Sequence, residues 1–242
     1  LTKPDPILTA EKILRAKYPG ALLAFAGGSF NRGEATAYSD IDLVVIFNRL
    51  EYGWRESFSF EGWPVEAFIH DPQTLRYFFA KDAREGTCIL ASMVVEGPAV
   101  PKGHVLATQL KGEAAETIAA GPPPWEEATI TEKRYQITNI VDDLRDPRNP
   151  IEAAASIGAL YSSLGEFYLR TQRLWSAGDK HISRRLAKAN PDLAHCWSTA
   201  FLKAWAGERA ELLAMAEDIL APYGGLLFNG YKLPAPADWR MV

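Results

Sequence analysis

Asp40 and Asp42 stand two residues apart at the head of Asp40-Ile41-Asp42-Leu43-Val44-Val45-Ile46-Phe47, the most strand-like stretch of the sequence. Alternation along a strand puts both carboxylates on one face and turns Ile41, Leu43 and Val45 to the other. Two acids held side by side repel unless a cation lies between them, and hard oxygen ligands at this spacing suit magnesium bridged to substrate phosphates. A bare D-x-D pair is common, however, and on its own reads equally as a solvated strand edge. Upstream, Gly28-Ser29 follows the short apolar run Ala21 to Ala26 and opens a short helical stretch. Glycine there lets backbone N–H groups approach a phosphate, and the serine hydroxyl adds one more donor. Alone, Gly27-Gly28-Ser29 reads as a turn. Strand, glycine-serine, short helix and acidic strand in succession are far more specific than any one part, and here ten residues separate Ser29 from Asp40.

Other chemistries find little support. The motifs G-x-x-x-x-G-K-[ST], G-x-G-x-x-G and H-E-x-x-H are absent, and His70, His104, His181 and His195 show no ligand spacing. Ser29 has no context for a nucleophile elbow. Cys88 and Cys196 lie far apart with no C-x-x-C, so both read as reduced core residues of a cytoplasmic protein.

The elements that must position these residues follow from periodicity and breakers. Residues 7–17 read as a helix with Thr9 as N-cap, and 21–26 as a buried strand. Residues 30–37 read as a short helix, 40–47 as a strand and 65–69 as a third strand that 57–61 can join as a hairpin. Asp71-Pro72 is a clean helix start, a capping acid followed by proline at the first helical position. Residues 87–100 mix a short helix with a strand ending at Gly97-Pro98, and a further helix spans about 103–119. Gly121-Pro122-Pro123-Pro124 is the best linker. Beyond it the pattern is helical only, from a capping box at Thr129 and Glu132 through the apolar series Ile137, Val141, Leu144; Ile157, Leu160, Leu164; and Leu212, Ala216, Leu220. The reading is an α/β half over 1–120 and an all-α half over 125–242.

Composition bounds the partners. The chain has 242 residues, 48% hydrophobic and 23% charged, as in an ordinary globular protein that needs no staples. A net charge of −4 argues against non-specific binding to long nucleic acid. No apolar run reaches the roughly 18 residues of a membrane span, and no secretory signal pattern is seen. The expected compartment is the cytoplasm.

The stretch GGSFNRGEATAYSDIDLVVI (residues 27–46) resembles the signature of the nucleotidyltransferase superfamily, and is especially close to its bacterial branch of aminoglycoside and minimal nucleotidyltransferases. The resemblance implies an α+β fold, with a short mixed sheet flanked by helices, followed by a helical bundle that binds substrate. It also implies a third carboxylate on a neighbouring strand. Glu66, 24 residues after Asp42, stands where it is expected, although alternation alone leaves its face open. Asp40, Asp42 and Glu66 would then hold two magnesium ions, and Gly28 and Ser29 would meet the nucleoside triphosphate. Arg32 either reaches phosphate or is a solvated arginine. In the aminoglycoside branch the general base comes from the helical domain, which makes Asp142 or Asp143 a candidate, or else a surface acid. Lys180, in Trp175-Ser176-Ala177-Gly178-Asp179-Lys180, resembles a basic element that meets triphosphate, or is a solvated helix start. Trp175 and Tyr135 are candidates for stacking on a base, or are core.

The implied activity is Mg-dependent transfer of a nucleoside monophosphate, AMP from ATP, to a hydroxyl of a small molecule, with an antibiotic among the acceptors. Two alternatives stand beside it. One is AMP transfer to a protein, as in toxin–antitoxin pairs, and the other is a non-catalytic nucleotide-binding regulator. A homodimer is compatible with the resemblance, since some related enzymes complete their sites across one.

Overall fold

The computed structural model describes residues 3–235. The chain divides into two compact units, Leu1–Pro122 and Pro123–Val242.

The first unit is built on a five-stranded mixed sheet. Its strands are β1 (Ala21–Gly27), β2 (Ile41–Phe47), β3 (Trp54–Phe60), β4 (Trp63–His70) and β5 (Ala99–Val100), in spatial order β3-β4-β2-β1-β5. Only the β2–β4 pair is parallel; β1 runs antiparallel to β2 and β5, and β3 antiparallel to β4. β2 is buried because it sits mid-sheet and is apolar on both faces. Ile41, Leu43 and Val45 join Val65, Ala67 and Ile69 under α1 (Pro6–Lys17), whose Ile13 and Leu14 face them. Val44 and Ile46 join Leu23 and Phe25 on the other face, covered by α2 (Pro72–Arg84), α3 (Ile89–Glu96) and α4 (Val105–Ala120). Each such side chain contributes about 1.5–3 kcal/mol on full burial.

Several boundaries differ from the sequence reading. The first helix starts at Pro6 and is capped by Asp5, whose carboxylate accepts from the N–H groups of Ile7 and Leu8. Thr9 is buried inside that helix, its hydroxyl turned back to the Asp5 carbonyl. The stretch 30–37 is no helix beyond the 3-10 turn Ser29–Arg32, which Gly33 ends in the left-handed region at φ 70°. Asp40 precedes β2 instead of opening it. β3 and β4 form a longer hairpin than 57–61 with 65–69, closed at Glu61-Gly62, where both φ values are positive. β5 follows Gly97-Pro98 instead of ending there. Asp71-Pro72 does open α2, with a reciprocal capping box between Asp71 and Thr74.

The second unit is helical: α5 (Glu127–Arg145), α6 (Pro150–Thr171), α7 (Ile182–Ala189), α8 (Pro191–Trp205) and α9 (Ala210–Leu220). Ile137, Val141, Leu160, Leu164, Trp197, Phe201, Leu212 and Ala216 form one continuous core. Thr129 and Glu132 lie within α5 and do not cap it; the cap position is Glu126, with no side-chain cap bond. The chain entering this unit is anchored on α6, since buried Arg170 donates to the Pro123 carbonyl at 2.8 Å and lies over the Trp125 ring. Residues 224–228 return along α5, where Arg134 donates to the Gly224 and Gly225 carbonyls and Leu227 N–H donates to Thr138 Oγ1. Among the described residues, no helix is long and apolar enough to cross a membrane.

Candidate active site

The sheet register assembles the site. Gly27 on β1 pairs with Asp42 on β2, Asp42 with Glu66 on β4, and Glu66 with Ser57 on β3. Register partners project to the same side of a sheet, so these four positions form one row across four strands. The side is the one carrying Val44, Ile46 and Phe68, because Ile41, Leu43, Val65 and Ala67 face α1. The face of Glu66, which alternation left open, is thereby fixed as that of Asp42. Adjacent strands lie roughly 4.8 Å apart, which puts the two carboxylate-bearing backbones at neighbouring sheet positions.

Glycines clear the ground beside Asp42 and Asp40. A Cβ on Gly27 would sit 3.5 Å from the Asp42 Cβ, in ordinary contact. Gly28 is tighter. It has φ 136° and ψ 174°, a region that side chains disfavour, and a Cβ there would meet the Phe30 ring at 2.8 Å and the Asp40 carbonyl at 3.0 Å. The main chain of Gly28 therefore runs directly against that of Asp40.

Hydroxyls and one amide hold the two loops together. Ser29 and Ser39 share a hydrogen bond between their Oγ atoms at 2.7 Å, and Ser39 Oγ also accepts from the Thr36 N–H at 2.8 Å. Asn31 Nδ2 donates to the Ala26 carbonyl, and Lys3 Nζ to the Ser39 carbonyl. The Ser29–Arg32 turn and the 36–39 turn are thus fastened to β1 and to each other just before Asp40. Asn31 and Ser39 were given no role from the sequence, although both fall inside the motif.

Glu66 has a partner already. Its Oε2 accepts from Arg55 at 2.6 Å, and the Arg55 guanidinium lies 4.9 Å from the centre of the Phe68 ring. Among the described residues, no group of three or more His, Cys, Asp or Glu side chains is gathered as a metal cage. The donor set nevertheless fits a hard divalent cation in kind, with carboxylates on Asp42 and Glu66 in register on one face and Asp40 just before β2. An ion that takes Glu66 Oε2 would displace Arg55 from that oxygen.

The remaining candidates fall elsewhere. Arg32 is turned to acids, Glu34 at 3.2 Å and Glu96 at 3.6 Å. Asp142 is on α5 of the second unit, exposed and paired with Arg145 at 2.6 Å, and Arg145 also binds Glu217. Lys180 is exposed in the 3-10 turn Asp179–His181. Tyr135 stacks on Tyr231 with centroids 3.8 Å apart, and Trp175 is buried, so each has a packing role. A cavity of about 670 Å³ opens in the helical unit, bordered by Tyr168, His195, Met215 and Tyr223; none of the candidate residues lines it.

Residues 7–83, from α1 through α2, match the family model described as a nucleotidyltransferase domain. A solved structure, a nucleotidyltransferase-like protein from Exiguobacterium sibiricum 255-15, is similar at 13% identity over 89% of this chain and 74% of that chain, with a TM-score of 0.42. A search of curated proteins gives no match. The matched segment includes the whole row from Gly27 to Glu66 together with Gly28, Ser29 and Asp40, so residues 7–83 of the chain form a region that matches the nucleotidyltransferase domain family.

Proposed function

We propose that the chain moves AMP from ATP to a hydroxyl of a small-molecule acceptor with the help of magnesium. The observation that carries this reading is the row Gly27–Asp42–Glu66, with the Gly28 backbone packed against Asp40 at one end. Asp40 and Asp42 would hold both magnesium ions, and Glu66 would help to hold the one that activates the acceptor hydroxyl. Bound magnesium would neutralise phosphate charge and lower the pKa of an oxygen nucleophile. The protein's own part is positioning. Gly28 leaves room for a phosphate against the backbone, and the Ser29–Ser39 pair holds the loop that presents it. The sheet holds the Asp42 and Glu66 backbones in register, so that only side chains have to turn toward an ion.

Asp142 as general base, Lys180 at the triphosphate and Arg32 at a phosphate rest on the resemblance. Each would have to exchange or extend its present contacts, most plainly Asp142, which is tied to Arg145. Recognition of the acceptor falls to the helical unit on the same ground. The test is label transfer from α-labelled ATP, GTP, CTP and UTP to a panel of hydroxylated small molecules, aminoglycosides included, with magnesium. A labelled small molecule formed by the wild type and lost in Asp42→Asn supports the reading. Label on protein alone, or none with any acceptor, counts against it.

A further inference from the structure

Arg55 is an exposed residue of the edge strand β3, and sequence reading gave it no role. Its place in the sheet changes that. Arg55 pairs with Phe68 and Ser57 with Glu66 in the antiparallel β3–β4 ladder, so Arg55 sits one step diagonally from Glu66 on the same face. The guanidinium Nη2 donates to Glu66 Oε2 at 2.6 Å. The same guanidinium rests on the Phe68 ring, and Phe68 is itself packed against the core under α2–α4. Phe68 therefore acts as a shelf that aims Arg55 at one oxygen of the carboxylate expected to take a metal.

We infer that Arg55 is a positioning residue and built-in counter-ion of the metal site. It holds Glu66 to one side in the metal-free protein and competes with a divalent cation for that carboxylate. This rests on the reading of Glu66 as a metal ligand. Without a cation, Glu66 stands in register beside Asp42, and Arg55 offsets part of that negative charge. With a cation, the same service comes from the ion, and the arginine is released. Release is inexpensive because the pair is open to water: the side chains are 57% and 34% exposed. Exposed ion pairs contribute little, so removing the competitor should tighten divalent-ion binding by roughly two- to fivefold. No covalent step is involved; one charge partner of Glu66 replaces another.

The experiment is Mn²⁺ titration of the full chain without nucleotide, following free Mn²⁺ by its electron paramagnetic resonance signal. Wild type, Arg55→Gln, Arg55→Lys, Glu66→Gln and the double variant Arg55→Gln/Glu66→Gln are compared. Circular dichroism confirms that each is folded. Arg55→Gln should bind Mn²⁺ about two- to fivefold more tightly than wild type, and Arg55→Lys should return close to wild type. The gain should disappear in the Glu66→Gln background, which separates competition for Glu66 from a general change of local charge. Heating without metal should melt Arg55→Gln earlier than wild type, with the gap closing when Mn²⁺ is added. A merely structural arginine would lower stability equally with and without metal and leave Mn²⁺ affinity unchanged. Unchanged affinity, or an equal gain in the Glu66→Gln background, overturns the inference. If Asp42→Asn still abolishes binding in that case, the catalytic reading stands without it. If neither wild type nor Arg55→Gln binds Mn²⁺, the inference falls, and magnesium-dependent triphosphate binding decides the catalytic reading separately.

Discussion

Gly28 and Gly33 bracket the turn before Asp40, and both have positive φ, but they differ in what surrounds them. At Gly33, φ is 70° and a Cβ would meet nothing within 4 Å. Gly33→Ala should therefore cost only the left-handed backbone penalty, about 1–2 kcal/mol. At Gly28, φ is 136° with ψ 174°, and a Cβ would come within 2.8 and 2.9 Å of the Phe30 ring and 3.0 Å of the Asp40 carbonyl. Neither neighbour yields readily. Phe30 packs edge-on to Trp63 and onto the core under α1, and the Asp40 carbonyl is main chain. Backbone strain of about 1–3 kcal/mol and overpacking of about 1–3 kcal/mol add to roughly 2–6 kcal/mol for Gly28→Ala. The clash would also push Asp40 away from Gly28, and a displacement on the order of 1 Å in a positioning group can lower turnover about a hundredfold. Urea denaturation of both variants, together with pyrophosphate release at saturating nucleotide, reads the two effects. Gly28→Ala should be the less stable and nearly inactive, with Gly33→Ala close to wild type in turnover. Equal stabilities, or wild-type turnover in Gly28→Ala, would refute the claim that this close approach positions Asp40.

Three other outcomes follow from the same structure. Asp42→Asn should lower pyrophosphate release at least about a hundredfold with no loss in the urea midpoint, because it removes a carboxylate that stands in register with Glu66. His70 is buried, which lowers its pKa from 6.5 to about 4 against the opposing charge of Asp71. The unfolded chain takes up that proton first as pH falls, so stability present above pH 6.5 is lost on the way down to 4, about 2 kcal/mol of it by pH 5. Denaturation at pH 8 and pH 5 measures this, and His70→Gln should remove that part of the pH dependence. In the helical unit, Leu160→Ala should cost about 2–5 kcal/mol, because Leu160 is fully buried in the core between α5, α6 and α8. The check is its urea midpoint, and a shift under about 1 kcal/mol would mean that this core is looser than its burial indicates.

How far the sequence could be read depended on whether the information was local. Residues 41–47 announce themselves as a strand because both faces are apolar, and Asp71-Pro72 as a helix start because cap and proline are adjacent. The same local rule holds at Asp5-Pro6, where Asp5 and not Thr9 caps the first helix. The Gly28-Ser29 and Asp40-x-Asp42 parts were legible as a motif, but the helix drawn between them was not there. Gly33 stops it, and Ser39 ties the turn to Ser29 across ten residues. Glu66 could be placed on a strand but not on a face, because that depends on which residue of β2 it pairs with. Arg55 and Arg32 were least legible. The acidic partner of Arg55 lies across a hairpin and those of Arg32 lie two and 64 residues away, and surface arginines carry no periodic signal of what they will meet.

The most direct test of the central claim, that the Asp40–Asp42–Glu66 face is a magnesium-nucleotide site, is calorimetric titration of the whole chain. ATP, GTP, CTP and UTP are each titrated with and without magnesium, beside the double variant Asp40→Asn/Asp42→Asn. The account predicts magnesium-dependent binding of at least one triphosphate, ATP first, that the folded double variant loses. Binding that is indifferent to magnesium, or that survives in the double variant, would contradict it.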